Sequence, residues 1–153
     1  MHETEALHIR RLTAEDLEPL HRLLSDPAVM RYLEPPFTRA QTEAFLQKAG
    51  MGREPLIRAV EDGRGFAGYV IYHPYDETSM ELGWVLASDR WGRGYALALT
   101  RQMICRAREN GRDAVIECHP QQAATRHIAE KLGFRPCGMD GGCCVYRLAG
   151  KNE

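Results

Sequence analysis

Residues 91–96 read Trp-Gly-Arg-Gly-Tyr-Ala, with two glycines either side of an arginine and an apolar run at helical spacing directly after. Glycine lets a backbone approach a ligand closely, because no Cβ stands in the way. A helix that begins here also presents unpaired N–H groups and the positive end of its dipole. Arg90 and Arg93 add charge. Such a junction can hold a pyrophosphate through backbone groups alone. It can equally be a strand-to-helix turn in which glycine only relieves strain, and the six residues by themselves leave both readings open. They are not a P-loop, since no Gly-Lys-Ser/Thr follows, and Leu97 stands where a dinucleotide fingerprint requires its last glycine.

The other reactive side chains point to less. Cys105, Cys118, Cys137, Cys143 and Cys144 contain no C-x-x-C, and an odd count with an adjacent pair suits reduced thiols. One member of the pair Cys143-Cys144 must face each side of a strand. Cys118 and His119 lie near His127 in the sequence, but their spacing matches no zinc pattern, and no metal is expected.

The elements that position the loop follow from patterning. Leu7–Leu12 reads as a strand, and Leu17, Leu20 and Leu24 mark one face of the next helix. Asp16 is the preferred cap over Thr13, because Pro19 then falls in the first turn. Asp26-Pro27 opens a short helix that Pro35-Pro36 stops. Thr38 and Gln41 have capping-box spacing for a third helix, which Gly50 ends. Strands at 55–62 and 65–73 flank Asp62-Gly63-Arg64-Gly65, a hairpin signal, and Ser79–Ala87 is a further strand. The loop then starts a helix with Ala96, Leu99, Met103 and Ala107 on its apolar positions, stopped at Asn110-Gly111. A strand at 113–119, a helix ended by Gly133, and a closing strand pair about Gly141-Gly142 complete the chain. Strand–helix–strand units in a mixed sheet, without repeats or a linker, predict an α+β (mixed α/β) fold and one domain over 1–153.

Bulk properties exclude several classes. The 44% hydrophobic and 27% charged content of the 153 residues predicts a globular domain rather than disorder. A net charge of −1 argues against nucleic acid as a partner. No apolar run has the length of a membrane span, and the opening MHETEALHIRR lacks a signal-peptide core, so no membrane partner and a cytoplasmic location are expected.

Three pieces, in this order, carry a resemblance: IRRLTAEDLEPLHRLLSDPAVMRYL, ELGWVLASDRWGRGYA and AVIECHPQQAATRHIAEKLGF. With them the chain resembles the GCN5-related N-acetyltransferases (GNAT), which use acetyl-CoA. The first piece is similar to the branch that acetylates ribosomal-protein N-termini and that also includes small-molecule acetyltransferases. The resemblance implies a central mixed, mostly antiparallel sheet, flanked by helices, whose fourth and fifth strands splay apart. It implies that the N–H groups of Gly92, Arg93, Gly94, Tyr95 and Ala96 take the pyrophosphate, with Arg93 as a charge partner. Trp91 departs from the Gln or Arg usual at its position. Val85 and Leu86 would offer backbone bonds to the pantetheine arm. Gln122 and Thr125 stand for the family's Asn and Ser on the same cofactor. Ala129 occupies the position of a Tyr thought to protonate the departing thiolate, and Thr125, Cys118 or solvent are the replacements on offer.

The implied reaction is direct attack of a neutral amine on the thioester of acetyl-CoA in a ternary complex. A lysine-like amine lies about 3.4 pKa units above neutral pH, a cost of roughly 4.6 kcal/mol, against about 1 kcal/mol for an α-amino group. A base therefore matters most for the first class. Glu81 is the first candidate, acting through water, and Glu117 the second. The competing reading for either is an exposed strand carboxylate paired with an arginine. Met30, Tyr32, Pro36 and Phe37 lie where the family walls its acceptor site. The acceptor is expected to be a primary amine, on a protein N-terminus or a small molecule, with no charge bias toward polycations. Ala129 and Trp91 keep open an alternative: an acyl-CoA-binding regulatory or interaction module with weak or lost catalysis. Family members often pair through strand edges or their last strands, so a homodimer is compatible with the sequence.

Overall fold

A computed structural model describes residues 6–150. The ends of the expected 1–153 domain, with the first five residues of the opening segment, lie outside the described residues. The seven strands are β1 (His8–Arg10), β2 (Ile57–Asp62), β3 (Gly65–Asp76), β4 (Ser79–Leu86), β5 (Asp113–Cys118), β6 (Arg135–Asp140) and β7 (Cys143–Leu148). The main helices are α1 (Leu17–Leu24), α2 (Pro27–Met30), α3 (Arg39–Phe45), α4 (Tyr95–Glu109) and α5 (Ala123–Lys131). The strands hydrogen-bond in the order β1-β2-β3-β4-β5-β7-β6. β4 and β5 pair in parallel, and the β1–β2, β2–β3, β5–β7 and β6–β7 registers are antiparallel. The fold is thus the mixed, mostly antiparallel α+β sheet flanked by helices that the sequence implies.

The residues group into two compact units, 6–71 with Trp84–Tyr95, and Tyr72–Gly83 with 96–150. In the first, an apolar core gathers Leu12, Leu20, Leu24, Met30, Leu46 and Tyr69 with Val85. Both bonds of the expected box are present on α3: Gln41 N–H donates to Thr38 Oγ1 at 3.1 Å, and Thr38 N–H donates to Gln41 Oε1 at 2.8 Å. The cap before α1 differs from expectation. A 3-10 turn, Ala14–Asp16, precedes the helix and Thr13 caps that turn. Asp16 points backwards and inwards instead, accepting from Thr13 N–H at 2.8 Å and from the Arg10 guanidinium at 2.8 and 2.9 Å. Arg10 wins it because a charged two-bond partner outweighs a single orphan N–H at a helix end.

The hairpin β2–β3 carries an irregularity between Val60 and Glu61, after which Asp62 sits opposite Gly65. Gly68 marks a close approach: its φ is +148°, and a Cβ there would lie 2.1 Å from the carbonyl oxygen of Val85. Only glycine allows β3 and β4 that near. Ala87 N–H then donates to Ala67 O at 2.9 Å, continuing the contact past the end of β4.

In the second unit, Leu99, Met103 and Ala107 of α4 are buried as their spacing predicts, together with Val115, Ile116, Ala129 and Tyr146. The parallel β4–β5 register covers only Ser79, Met80 and Glu81 against Asp113, Ala114 and Val115. β4 runs on to Leu86 and β5 to Cys118 beyond those three pairs. β5 is held firmly on its other edge, where five residues pair with β7.

Candidate functional site

The loop after β4 is built from below by one buried carboxylate. Asp62, with a side chain of 0% exposure, accepts from Arg90 Nε at 2.8 Å and Nη2 at 3.2 Å. It also accepts from the Tyr95 hydroxyl at 2.8 Å and from Arg64 N–H at 2.8 Å. The Arg90 bonds hold its carboxyl well below the usual carboxylate range against the opposing effect of burial. Arg90, on the 3-10 turn Ser88–Arg90, meets Asp89 as well, so its charge is spent inside the protein. The sequence suggested Arg90 as charge for a phosphate; its burial and two carboxylate partners remove it from that role.

Between these anchors the loop is bare. Gly92 has φ +75° and Gly94 +81°, and nothing lies within 4 Å of a Cβ placed on either. Their need for glycine is therefore one of backbone conformation, with open space above, not of crowding. The turn requires glycine, and the space a Cβ would take at either position is open. Arg93 is exposed at the centre. Trp91, 51% exposed, is more than a packing residue, since its indole Nε1 donates to Leu86 O at 2.9 Å. One lone pair of that carbonyl is thus in use, and the side chains of Val85 and Leu86 are buried. Of the residues placed near an acceptor, Met30 is core, and Phe37 packs on the core edge-to-face with Phe45. Tyr32 lies under the Arg31 guanidinium.

The second unit gathers the carboxylates. Glu81 is opposite Val115, so it shares a sheet face with Glu117 two residues on. His73 and Tyr75, alternating on β3, join them. His73 Nε2 stands 3.6 Å from Glu81 Oε1, too long for a direct hydrogen bond. Its Nδ1 lies 2.9 Å from Pro74 O, a carbonyl that can only accept, which assigns the hydrogen to Nδ1. Nε2 is then left facing Glu81. Burial pushes the Glu81 carboxyl up, and the Glu117 charge adds to this while His73 opposes it. The Tyr75 phenol bonds Glu117, which with burial pushes it up to about 12. A half-buried carboxylate with a raised pKa holds a proton more readily than an exposed one, which suits a general base. The alternative of an arginine-paired strand carboxylate does not describe Glu81, whose partners here are a histidine and a second carboxylate. Sequence reasoning missed His73, Tyr75 and Asp62. The period-two alternation of His73 and Tyr75 was the available signal, but it does not say which strand face meets Glu81.

The remaining expected residues lie at the turn into α5. Gln122 folds back, its Oε1 accepting from His119 N–H at 2.8 Å. Thr125 is half-buried on the first turn of α5, and Ala129 is fully buried. Cys118 is buried on the face of β5 opposite Glu117, and burial pushes its thiol up to about 11. That placement sets it apart from the carboxylate face as a proton donor. No helix among the described residues is long and apolar enough to cross a membrane.

The fold and the glycine loop opening α4 define a class, and comparison with known proteins agrees. A family model described as an acetyltransferase (GNAT) domain matches residues 6–135, and the chain belongs to that family. It is 26% identical over 145 residues to an uncharacterized N-acetyltransferase, YnaD of Bacillus subtilis (strain 168), covering 92% of this chain and 85% of YnaD. The crystal structure of a GNAT-family acetyltransferase from Bacillus anthracis is similar with a TM-score of 0.82, 25% identity and 97% of each chain covered. The spermidine N-acetyltransferase of Vibrio cholerae, solved in complex with CoA and spermine, shares the fold with a TM-score of 0.74 at 23% identity, over 93% of each chain.

Proposed function

We propose that residues 1–153 act as one N-acetyltransferase domain, transferring acetyl from acetyl-CoA to a primary amine of a protein N-terminus or small molecule. The observation that carries this reading is Glu81: a carboxylate with a raised pKa, sharing one sheet face with His73, Tyr75 and Glu117. The loop fits the cofactor, because positive φ at Gly92 and Gly94 leaves backbone with no neighbour above it. Bound acetyl-CoA supplies the acetyl thioester. The N–H groups of Gly92 to Ala96 hold its pyrophosphate, with Arg93 as the charge partner. Val85 and Leu86 offer main-chain groups to the pantetheine arm, Leu86 through its second lone pair, and Gln122 and Thr125 add polar contacts.

Glu81 removes a proton from the incoming ammonium, through water. Glu117 fixes the Tyr75 hydroxyl and raises the proton affinity of Glu81 by like-charge repulsion. With Ala129 where a phenol would serve, solvent protonates the departing thiolate, whose conjugate thiol at a pKa of about 8.5 leaves without strong assistance.

The test is thiol release from acetyl-CoA over a panel of peptides, amino acids and polyamines, the last included because the V. cholerae relative was solved with spermine. Turnover with at least one amine, strongly lowered by Glu81→Gln, is the expected result. Saturable CoA binding without turnover on any amine would replace it with the binding-module reading.

A further inference from the structure

All five cysteines are free thiols, and the reaction above uses none of them. Two are set face to face. Cys118, the last residue of β5, is directly opposite Cys144 of β7 in the antiparallel register. Residues so placed point to the same side of the sheet, with Cβ atoms about 4.5–5.5 Å apart. A disulfide needs about 3.5–4.5 Å between Cβ atoms and 4.4–6.8 Å between Cα atoms, so a small shift within the ladder closes the gap. Cys143, the neighbour of Cys144, faces the other way, toward Glu117 and Asp140.

The surroundings divide the roles. Cys118 is buried, whereas Cys144 is half-buried and reachable. Arg126 of α5 lies beside both thiols, held by the Tyr146 hydroxyl at 3.1 Å and Pro120 O at 3.0 Å. Across the other edge of β7, Cys144 is opposite the exposed Met139, so three sulfur side chains form a row over three strands.

We propose that Cys118 and Cys144 form a reversible oxidation site whose oxidant is a peroxide. The Cys144 thiolate attacks one peroxide oxygen; the O–O bond breaks and hydroxide leaves, becoming water with the thiol's proton. The Cys144 sulfenic acid is then attacked by Cys118 Sγ. The S–S bond forms, the S–O bond breaks, and the sulfenic hydroxyl leaves with the Cys118 proton as a second water. Two thiols lose two electrons to one peroxide, and a dithiol reductant restores them.

The experiment treats the full-length reduced protein with a few equivalents of hydrogen peroxide, then maps peptides by mass. Expected is a product about 2 Da lighter than the reduced protein, linked Cys118 to Cys144, and returned by dithiothreitol. In Cys118→Ala the reaction stops at a sulfenic acid on Cys144 that dimedone traps. In Cys144→Ser no intramolecular disulfide forms, and the buried Cys118 stays a thiol. The wild-type map decides the matter even if a variant folds poorly. A Cys143–Cys144 link, a link involving Cys105 or Cys137, an intermolecular product, or oxidation confined to Met139 would each overturn the proposal.

Discussion

Two places in this protein gather charge, and they treat it in opposite ways. Around Asp62, every charge meets its opposite: a guanidinium takes both carboxylate oxygens, a phenol adds a third bond and a backbone N–H a fourth. Around Glu81, a second carboxylate stands on the same face, and the nearest base, His73, sits beyond hydrogen-bond distance. The first arrangement lowers a carboxyl pKa and the second raises one. Satisfied charge makes a rigid anchor, which the bare loop above Asp62 needs. Unsatisfied charge makes a group willing to take a proton, which an amine acetylation needs.

The strongest way to break this contrast is Asp62→Ala. Removing one partner of a buried pair strands the other, and the expected loss is about 3–5 kcal/mol of stability in urea unfolding. A loss under 1 kcal/mol would mean that the anchor is not one. At Glu81 the effect should fall on rate. Glu81→Gln is expected to lower kcat/KM for a lysine-like amine about 100-fold, the low end for a general base, with unfolding unchanged. The penalty should be smaller for a peptide α-amine, which deprotonates more easily.

The pH dependence sharpens the same comparison, because the two carboxyls move in opposite directions. Glu81 holds its proton to a higher pH than an ordinary glutamate, so its base form appears late, and an acid limb of kcat/KM should lie above about 4.3 and vanish in Glu81→Gln. Asp62 is depressed, so its stabilisation is complete above about 3.9 and is lost only as pH falls toward its folded value. Acid unfolding of the wild type below pH 4, set against the already weakened Asp62→Ala protein, reads this directly.

A smaller effect is expected at the loop. Gly94→Val forces a branched side chain to φ +81°, a strain of about 1–2 kcal/mol, and should weaken CoA binding roughly tenfold by calorimetry while the fold persists. The smallest is Trp91→Phe, which frees Leu86 O and should change CoA affinity by less than about fivefold, one lost hydrogen bond being worth about 1 kcal/mol.

The elements were readable in the sequence wherever one local rule governed them. The Thr38–Gln41 box, the Leu99–Met103–Ala107 stripe and the strands of the hairpin follow from propensity and period. Asp16 was misread as a cap because its real partner, Arg10, belongs to another element. Arg90 looked like phosphate charge for the same reason: nothing near it in the chain announces Asp62. His73 and Tyr75 were invisible because the face they share with Glu81 and Glu117 depends on register across strands, which no single strand encodes. Local chemistry was legible, and partnerships over long separations were not.

The three-pair ladder between β4 and β5 has a consequence in time as well. The β2–β3 hairpin joins neighbours through a two-residue turn and can close within microseconds. The parallel register at Ser79–Glu81 must wait for the whole of α4 to form and carry Asp113 back, with three residue pairs as its reward. Glu81 sits on the last of those pairs. Its neighbours are therefore expected to be completed late in folding, and the amides around it should be among the first of the central strands to exchange with deuterium.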